Sequence, residues 1–184
     1  MKRLDKAPFL ISLFLLFTLL GGCGYYFPHV YSGPALSIYL PDWKNRTQEL
    51  GLDAKIYHSL SRWFQKSPAI SVTKEKQKAD LVLAGEIISI DLPSLAHGPN
   101  YRTRAIKVTL QVRYILKDRK SGDILWEVGK ETWSEATSSG SGSVMDIDSE
   151  AAALKQIIDD LSEKLYLGTL RRLRLREKQG EKKT

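Results

Sequence analysis

Cys23 is the only cysteine of this 184-residue sequence, and it has the clearest chemical role of any side chain. Basic residues and an apolar run over residues 9–20 precede it, and Gly21-Gly22 stands directly before the thiol. An apolar run of about a dozen residues fits a secretory signal peptide, because a membrane-spanning helix needs about 20. Small residues before a cysteine permit cleavage, after which the thiol can carry diacylglycerol through a thioether. The sequence therefore predicts a cleaved signal over residues 1–22 and a lipidated Cys23.

Two other interpretations of this segment stay open, namely an ordinary signal peptide with a chance cysteine and an uncleaved anchor. An exported chain with one cysteine cannot form an internal disulfide, so modification is the simpler account of the thiol. Several acyl chains, each CH₂ contributing about 0.8 kcal/mol on burial, would hold the protein on a membrane. Because Gly24 follows the cysteine, where Asp is the usual inner-membrane retention signal in enteric bacteria, we expect the outer membrane.

Catalysis or metal binding needs reactive side chains in clusters, and the sequence shows no such cluster. The histidines lie in unrelated segments without the spacing of metal ligands: His29, His58 and His97. The Gly-Ser stretch at 140–143 fits a linker, and Asp159-Asp160 fits a solvated helix face. We therefore expect no enzyme, no metal site and no cofactor.

The net charge of +7 is concentrated near one end of the sequence. Residues 171–184 contain seven basic and two acidic side chains, whereas the body over residues 23–170 is neutral. Such a stretch could meet lipid phosphates, lipopolysaccharide or an acidic partner surface, or it could be a solvated, frayed helix end. Nucleic acid is not expected as a partner of an exported lipoprotein.

Alternation of apolar and polar residues predicts a sheet. The candidate strands cover residues 35–40, 69–73, 80–92, 102–118 and a stretch from 124 onwards. Gly85 inside the third strand indicates a bulge or a close approach of another segment. The turn at 121–123 predicts a hairpin between the last two strands, with Trp126 and Glu131 on opposite faces of the returning strand. The Ser-rich and Gly-rich stretch at 134–143 is expected to be a loop.

Apolar residues three and four positions apart predict two amphipathic helices. The first covers residues 52–64 with a cap from Asn45 or Thr47, and the second covers residues 147–165 with a cap from Asp148-Ser149. Two helices on one face of a mostly antiparallel sheet of four to five strands give an α+β fold. The other face of the sheet is then in contact with water.

These elements divide the chain into four parts. They are a signal peptide at 1–22, a lipidated linker at 23–34, a single α+β domain at 35–170 and a basic tail at 171–184. Four aromatic side chains lie close to the predicted anchor: Tyr25, Tyr26, Phe27 and Tyr31. Such rings could sit at a membrane interface, but we expect them to dock on the domain.

Several short motifs together resemble the LptE family of outer-membrane lipopolysaccharide-assembly lipoproteins. In chain order they are GCGYYF at 22–27, the segment 40–47 with Asn45 and Thr47, Gly51-Leu52, ADLVLAGEI at 79–87, Tyr101-Arg102, GDILW at 122–126 and the Ala-rich final helix. Their order and spacing carry the resemblance, which covers nearly the whole mature chain.

The resemblance implies a helix-on-sheet domain lodged in the lumen of an outer-membrane β-barrel, LptD. There the domain would act as a plug and assembly factor and would bind lipopolysaccharide during its delivery to the outer leaflet. The candidate contacts with lipid A phosphates lie on the polar face of the longest strand: Arg102, Arg104, Lys107 and Arg113.

Two alternatives stay open at this stage. The polar face of the longest strand could merely keep the sheet soluble. The same motifs also occur in lipoproteins that activate a peptidoglycan synthase and in secretion-accessory lipoproteins.

Overall fold

The computed structural model describes residues 31, 33–92, 105–138 and 143–181. The strands are β1 (Leu36–Tyr39), β2 (Lys44–Asn45), β3 (Ile70–Thr73), β4 (Leu81–Asp91), β5 (Ala105–Asp118) and β6 (Ile124–Ser138). The helices are α1 (Leu52–Gln65) and α2 (Ser143–Glu181), and a single 3₁₀ turn (Lys76–Lys78) precedes β4. The predicted α+β class is confirmed. No helix within these ranges is both long and apolar enough to cross a bilayer.

The sheet has the strand order β3-β1-β4-β5-β6, and β2 pairs separately with β4. The pairs β1–β3, β1–β4 and β2–β4 are parallel, whereas β4–β5 and β5–β6 are antiparallel. The sheet is therefore mixed and six-stranded, which differs from the four to five mostly antiparallel strands expected. The two-residue β2 is too short for alternation to reveal it. The parallel pairing of β1 with β3 depends on the crossover through α1, which local alternation does not show.

Both helices pack on one face of the sheet, as the sequence predicts. On β5 the residues facing the helices are almost fully buried: Val108, Leu110, Val112, Tyr114 and Leu116. The apolar stripe of α1 is buried in the same core, where the helix lies next to β3 and α2: Leu52, Ile56, Leu60 and Phe64. The buried stripe of α2 joins the same core and continues as far as Leu173.

One carboxylate joins the two helices. Asp159 of α2 accepts hydrogen bonds from the Arg62 guanidinium at 2.8 Å, the Trp63 indole at 3.1 Å and the Ser59 hydroxyl at 3.1 Å. Burial alone would raise the pKa of Asp159, but these donors outweigh it and the pKa is lowered. Asp159 therefore helps to fix the position of α1 against α2, whereas the sequence predicts only a solvated helix face there.

The hairpin turn is confirmed, with Gly122 at a φ of 77°. β6 continues to Ser138, so the predicted loop begins later than expected. A register shift places Val112 opposite Glu131 and Tyr114 opposite Val128, which means that β6 contains one extra residue there. This bulge reverses the alternation, because the residues after it change faces. Glu131 therefore lies on the helix side, and the prediction that it faces away from Trp126 was wrong.

The predicted helix caps were also wrong. The N-cap of α1 is Gly51, in a left-handed conformation with a φ of 79° and no side-chain cap. Asn45 instead organises the preceding loop, because its Oδ1 accepts hydrogen bonds from the Thr47 amide at 2.9 Å and the Thr47 hydroxyl at 2.7 Å. At the second helix, Asp148-Ser149 lies inside α2, which begins at Ser143.

Helix α2 does not end near residue 165 but continues through Glu181, so most of the basic stretch is helical. Leu170 and Leu173 of this extension are buried in the core. Its Arg176 guanidinium donates to Asp118 at the end of β5, at 2.5 Å. Burial alone would raise the pKa of Asp118, but the backbone amide of Ser121 and Arg176 lower it to about 2. The extension is therefore held to the sheet.

Gly85 marks a close approach, one of the two possibilities that the sequence left open. The Trp43 ring is buried directly against it, and a Cβ at residue 85 would lie 2.3 Å from Trp43 Cε2. The register shift in β4 falls between Ile87 and Ser89 and not at Gly85. Glycine is needed at residue 85 because any side chain would displace the indole.

We expect Gly85→Ala to lower the free energy of unfolding by about 1–3 kcal/mol, the usual effect of overpacking a core. Gly129→Ala is the matched control, because nothing lies within 4 Å of a Cβ there and β6 would keep its backbone. Urea unfolding followed by circular dichroism measures both. Equal midpoints for the two variants would contradict the close-approach interpretation.

Candidate functional site

The sheet face opposite the helices is the candidate functional surface. The residues of β5 that alternate with the buried set point to this face, and several are polar: Lys107, Thr109, Gln111, Arg113 and Lys117. No helix of the described chain covers this face, and Lys107 and Arg113 are exposed on it. Two helices on one side and none on the other produce this polar surface.

A carboxylate flanked by two guanidiniums lies at the centre of the open face. Glu86 on β4 stands directly opposite Arg113 on β5 and accepts a hydrogen bond from the Arg113 Nε at 2.7 Å. Arg46, just after β2, forms an ion pair with the same carboxylate. The Glu86 side chain is only 10% exposed, whereas those of Arg46 and Arg113 are 52% and 50% exposed. Two cations on one carboxylate leave an excess positive charge.

This arrangement can bind an anion. Each guanidinium has N–H groups that Glu86 cannot use, and guanidinium forks match the geometry of phosphate oxygens. Glu86 also fixes both arginine side chains, which reduces the entropy that they would lose on binding. Arg46 was not among the sequence-predicted contacts, because its position follows from the short pairing of β2 with β4.

The four predicted contact residues are not brought to a single point. Arg113 belongs to the Arg46–Glu86–Arg113 cluster, and Lys107 is exposed on the same face of β5 six residues away. At 3.3 Å per residue this separation is about 20 Å. Arg102 and Arg104 lie outside the described residues. Lys107 and Arg113 could therefore meet separate anionic groups of a large ligand, but not one small anion.

A second feature is a groove between β6 and α2, with a volume of about 570 Å³. It is lined by two indole rings and one flank of the helix: Trp126, Trp133, Asp160, Glu163, Lys164, Leu167, Gly168, Arg171 and Arg172. The Lys164 ammonium lies 5.3 Å from the Trp133 ring centroid, and the Arg172 guanidinium 5.8 Å from that of Trp126. Cations above aromatic rings can receive an acidic or amphipathic group.

Polar contacts of a residue at the β6 bulge join this strand to β5 and to α2 beside the groove. Glu131 accepts a hydrogen bond from the Tyr114 hydroxyl at 2.6 Å and also binds Lys164. Burial, followed by the hydrogen bond with Glu131, raises the pKa of Tyr114. Gly168 leaves room for the Trp126 ring, because a Cβ there would lie 2.3 Å from Trp126 Cζ3.

The remaining expectations from the sequence concern one histidine, a metal site, the aromatic residues near the predicted anchor and the cysteine. His58 is exposed on α1, as expected for a surface residue. Within residues 31–181, the part that the structure describes contains no group of three side chains suited to a metal ion. Tyr31 is 2% exposed and docks on the domain, as predicted. Cys23 lies outside the described residues.

Comparison with known proteins assigns a family to the chain. The family model described as LptE, lipopolysaccharide-assembly, matches residues 36–167, which include every strand, α1 and most of α2. The match ends before the basic extension of α2. No curated protein sequence matches the chain.

Solved structures share the fold. A Xanthomonas campestris protein of family DUF330 superposes with a TM-score of 0.55 at 13% identity, covering 80% of this chain and 91% of that one. The uncharacterized lipoprotein B of Nitrosomonas europaea superposes with a TM-score of 0.51 at 14% identity, covering 80% and 89%. At such low identity these structures support the architecture alone.

We expect Glu86→Gln to lower the free energy of unfolding by about 1–2 kcal/mol. The variant removes the charge that both arginines share, although water can replace part of the lost bonding because both are half exposed. Glu127→Gln is the control, because Glu127 is exposed on the same sheet face. Chemical unfolding compares the two, and a loss in the control as large as that in Glu86→Gln would show that the cluster has no special role.

Proposed function

The chain belongs to the LptE family of lipopolysaccharide-assembly proteins, and from this we propose its specific role. It is a lipoprotein anchored through Cys23 at the periplasmic face of the outer membrane. It plugs and helps to assemble the LptD β-barrel, and it passes lipopolysaccharide towards the outer leaflet. The family is one of assembly lipoproteins and not of enzymes, in agreement with a sequence that offers no catalytic cluster.

The observation that carries this proposal is the family match over residues 36–167 together with the open cationic face inside that range. A plug needs a rigid body, and the two helices supply one by covering one side of the sheet. A carrier of a phosphorylated glycolipid needs cationic side chains that are held in position but are not fully neutralised by carboxylates. The Arg46–Glu86–Arg113 cluster, with Lys107 along the same strand face, supplies them.

The dimensions of the face agree with a large ligand. Lys107 and the cluster are about 20 Å apart along β5, so they can contact different phosphates or sugars of one molecule. Arg102 and Arg104 precede β5 in the sequence and are proposed as further contacts. Glu86 limits the positive charge at the cluster, which favours a ligand that is released again over one that is held permanently.

We expect this protein to copurify with a large β-barrel when outer membranes are extracted in mild detergent. An affinity tag after Thr184 and mass spectrometry of the eluate would identify the partner. Recovery of a peptidoglycan synthase or of secretion components without a barrel would instead favour the alternative function.

Mass spectrometry of the same protein tests whether residues 1–22 are removed and Cys23 carries acyl chains.

We also expect the double variant Arg104→Glu, Lys107→Glu to weaken binding of purified lipopolysaccharide by about tenfold, the scale of losing one charged hydrogen bond. Lys155→Glu is the control, because Lys155 is exposed on α2, away from the open face. Titration at low and high salt measures both. The open face would lose its assigned role if the control weakened binding by the same factor.

A further inference from the structure

We propose that one end of the domain, formed by the last turns of α2 and the turn of the β5–β6 hairpin, docks on an anionic phospholipid surface. This surface is the leaflet that holds the lipid anchor. The inference rests on the proposed attachment at Cys23 and goes beyond it by fixing which end of the domain faces the membrane. We call this part of the molecule the basic end; its cationic side chains come from residues 171–178 of α2.

Tyr31, the first described residue after the proposed anchor, lies at the basic end. Tyr31 is buried, and its hydroxyl donates a hydrogen bond to Glu177 of α2 at 2.6 Å. Burial and this hydrogen bond raise the pKa of Tyr31, so the phenol stays protonated and keeps donating. Only eight residue steps separate Tyr31 from Cys23, and they span at most about 28 Å. An anchor on Cys23 therefore keeps Glu177 close to the bilayer.

Strand register places the hairpin at the same end. Leu81 at the start of β4 lies opposite Asp118 at the end of β5, and Lys117 lies opposite Ile124 at the start of β6. Arg176 of α2 binds Asp118. The far ends of β4 and β5, where Asp91 lies opposite Thr109, are about ten residues away, or about 30 Å. The sheet therefore has one end near the tether and one end away from it.

The basic end carries a net positive charge, and several of its cationic side chains are exposed and not neutralised by a carboxylate. Among the described residues, Arg171, Arg172 and Lys178 are exposed and take part in no ion pair. The acidic groups nearby are mostly engaged: Asp118 binds Arg176 and Glu177 accepts the Tyr31 hydrogen bond. Asp123 in the hairpin is an exposed carboxylate; its Oδ2 accepts only the Ser121 hydroxyl, at 2.7 Å. A cationic surface of this kind attracts anionic headgroups.

Exposed apolar side chains accompany these cations. Three large apolar residues are exposed in the described part of the chain, and two of them, Ile124 at 53% and Leu175 at 43%, belong to the basic end. A helix surface that combines cations with a few apolar side chains is typical of segments that lie on a membrane interface. The family match ends at residue 167, so the cations of residues 171–178 and Leu175 lie outside the matched region, whereas Ile124 lies inside it.

Vesicle binding tests the proposal. The protein is a chain beginning at residue 23 with Cys23→Ser, which keeps every described residue but carries no acyl chain. The vesicles contain phosphatidylcholine alone or equal parts of phosphatidylcholine and phosphatidylglycerol. We expect binding to the anionic vesicles only, weakened by salt, and a triple variant Arg171→Gln, Arg172→Gln, Lys178→Gln that binds them about 100-fold more weakly. Each basic side chain near such a surface contributes about fivefold.

The matched control removes the same charge elsewhere. Lys55→Gln, Lys130→Gln, Lys155→Gln also removes three exposed cations, all outside the basic end. We expect this control to keep binding within about twofold, because these charges stay more than a Debye length of about 8–10 Å from the bilayer. Circular dichroism shows that both triple variants are folded.

Equal weakening by the two triple variants would overturn the proposal, since it would show a response to net charge alone. Equal binding of the parent protein to both kinds of vesicle would overturn it too. Neither result bears on the barrel partner or on lipopolysaccharide, because both are absent from the experiment. Conversely, loss of the barrel in copurification would leave the vesicle result unchanged.

Discussion

The structure depends on burial of a single face of the sheet. Successive residues of a strand point to opposite sides, so one register decides which residues of β5 enter the core and which reach solvent. Val108 to Leu116 fill the core at every second position, and Lys107, Arg113 and their neighbours consequently form the open face. A slip of one residue would bury these cations and expose the apolar set. The free energy of burying the core therefore also holds the cationic face in place.

The bulge in β6 keeps the burial of this single face intact, because it shifts the alternation of inward and outward residues by one position. Trp126 lies on the helix side, and an unbroken alternation would place Lys130 there and turn Trp133 outwards. The extra residue before Glu131 shifts the phase, so Glu131 and Trp133 lie under α2 while Lys130 is exposed. Glu131 can then bind Tyr114 and Lys164. One irregular position thus places the Trp133 ring in the groove and Glu131 within reach of Tyr114 and Lys164.

Much of the fold could be predicted because its strongest signals are local. The alternation in β5, the stripe of α1 and the Gly122 turn each depend on neighbouring residues, and the structure shows all three. The features that were not predicted correctly depend on contacts between distant segments. β2 exists only because Lys44 and Asn45 meet β4, and without that pairing Arg46 cannot be placed beside Glu86. The Glu131 prediction failed because a bulge leaves no clear mark in composition.

The last turns of α2 link this layered core to Tyr31, which precedes β1 in the sequence. At 39 residues and 1.5 Å per residue the helix measures about 58 Å, whereas the 14 residues of β5 span about 46 Å. Near the end of this long helix Glu177 receives the Tyr31 hydroxyl, while Arg176 ties the same turn to Asp118 at the end of β5. Tyr31 thus contacts the domain at α2, five residues before β1 begins. Since α2 and β5 share one core, the position of Tyr31 and the orientation of the open face are fixed relative to each other.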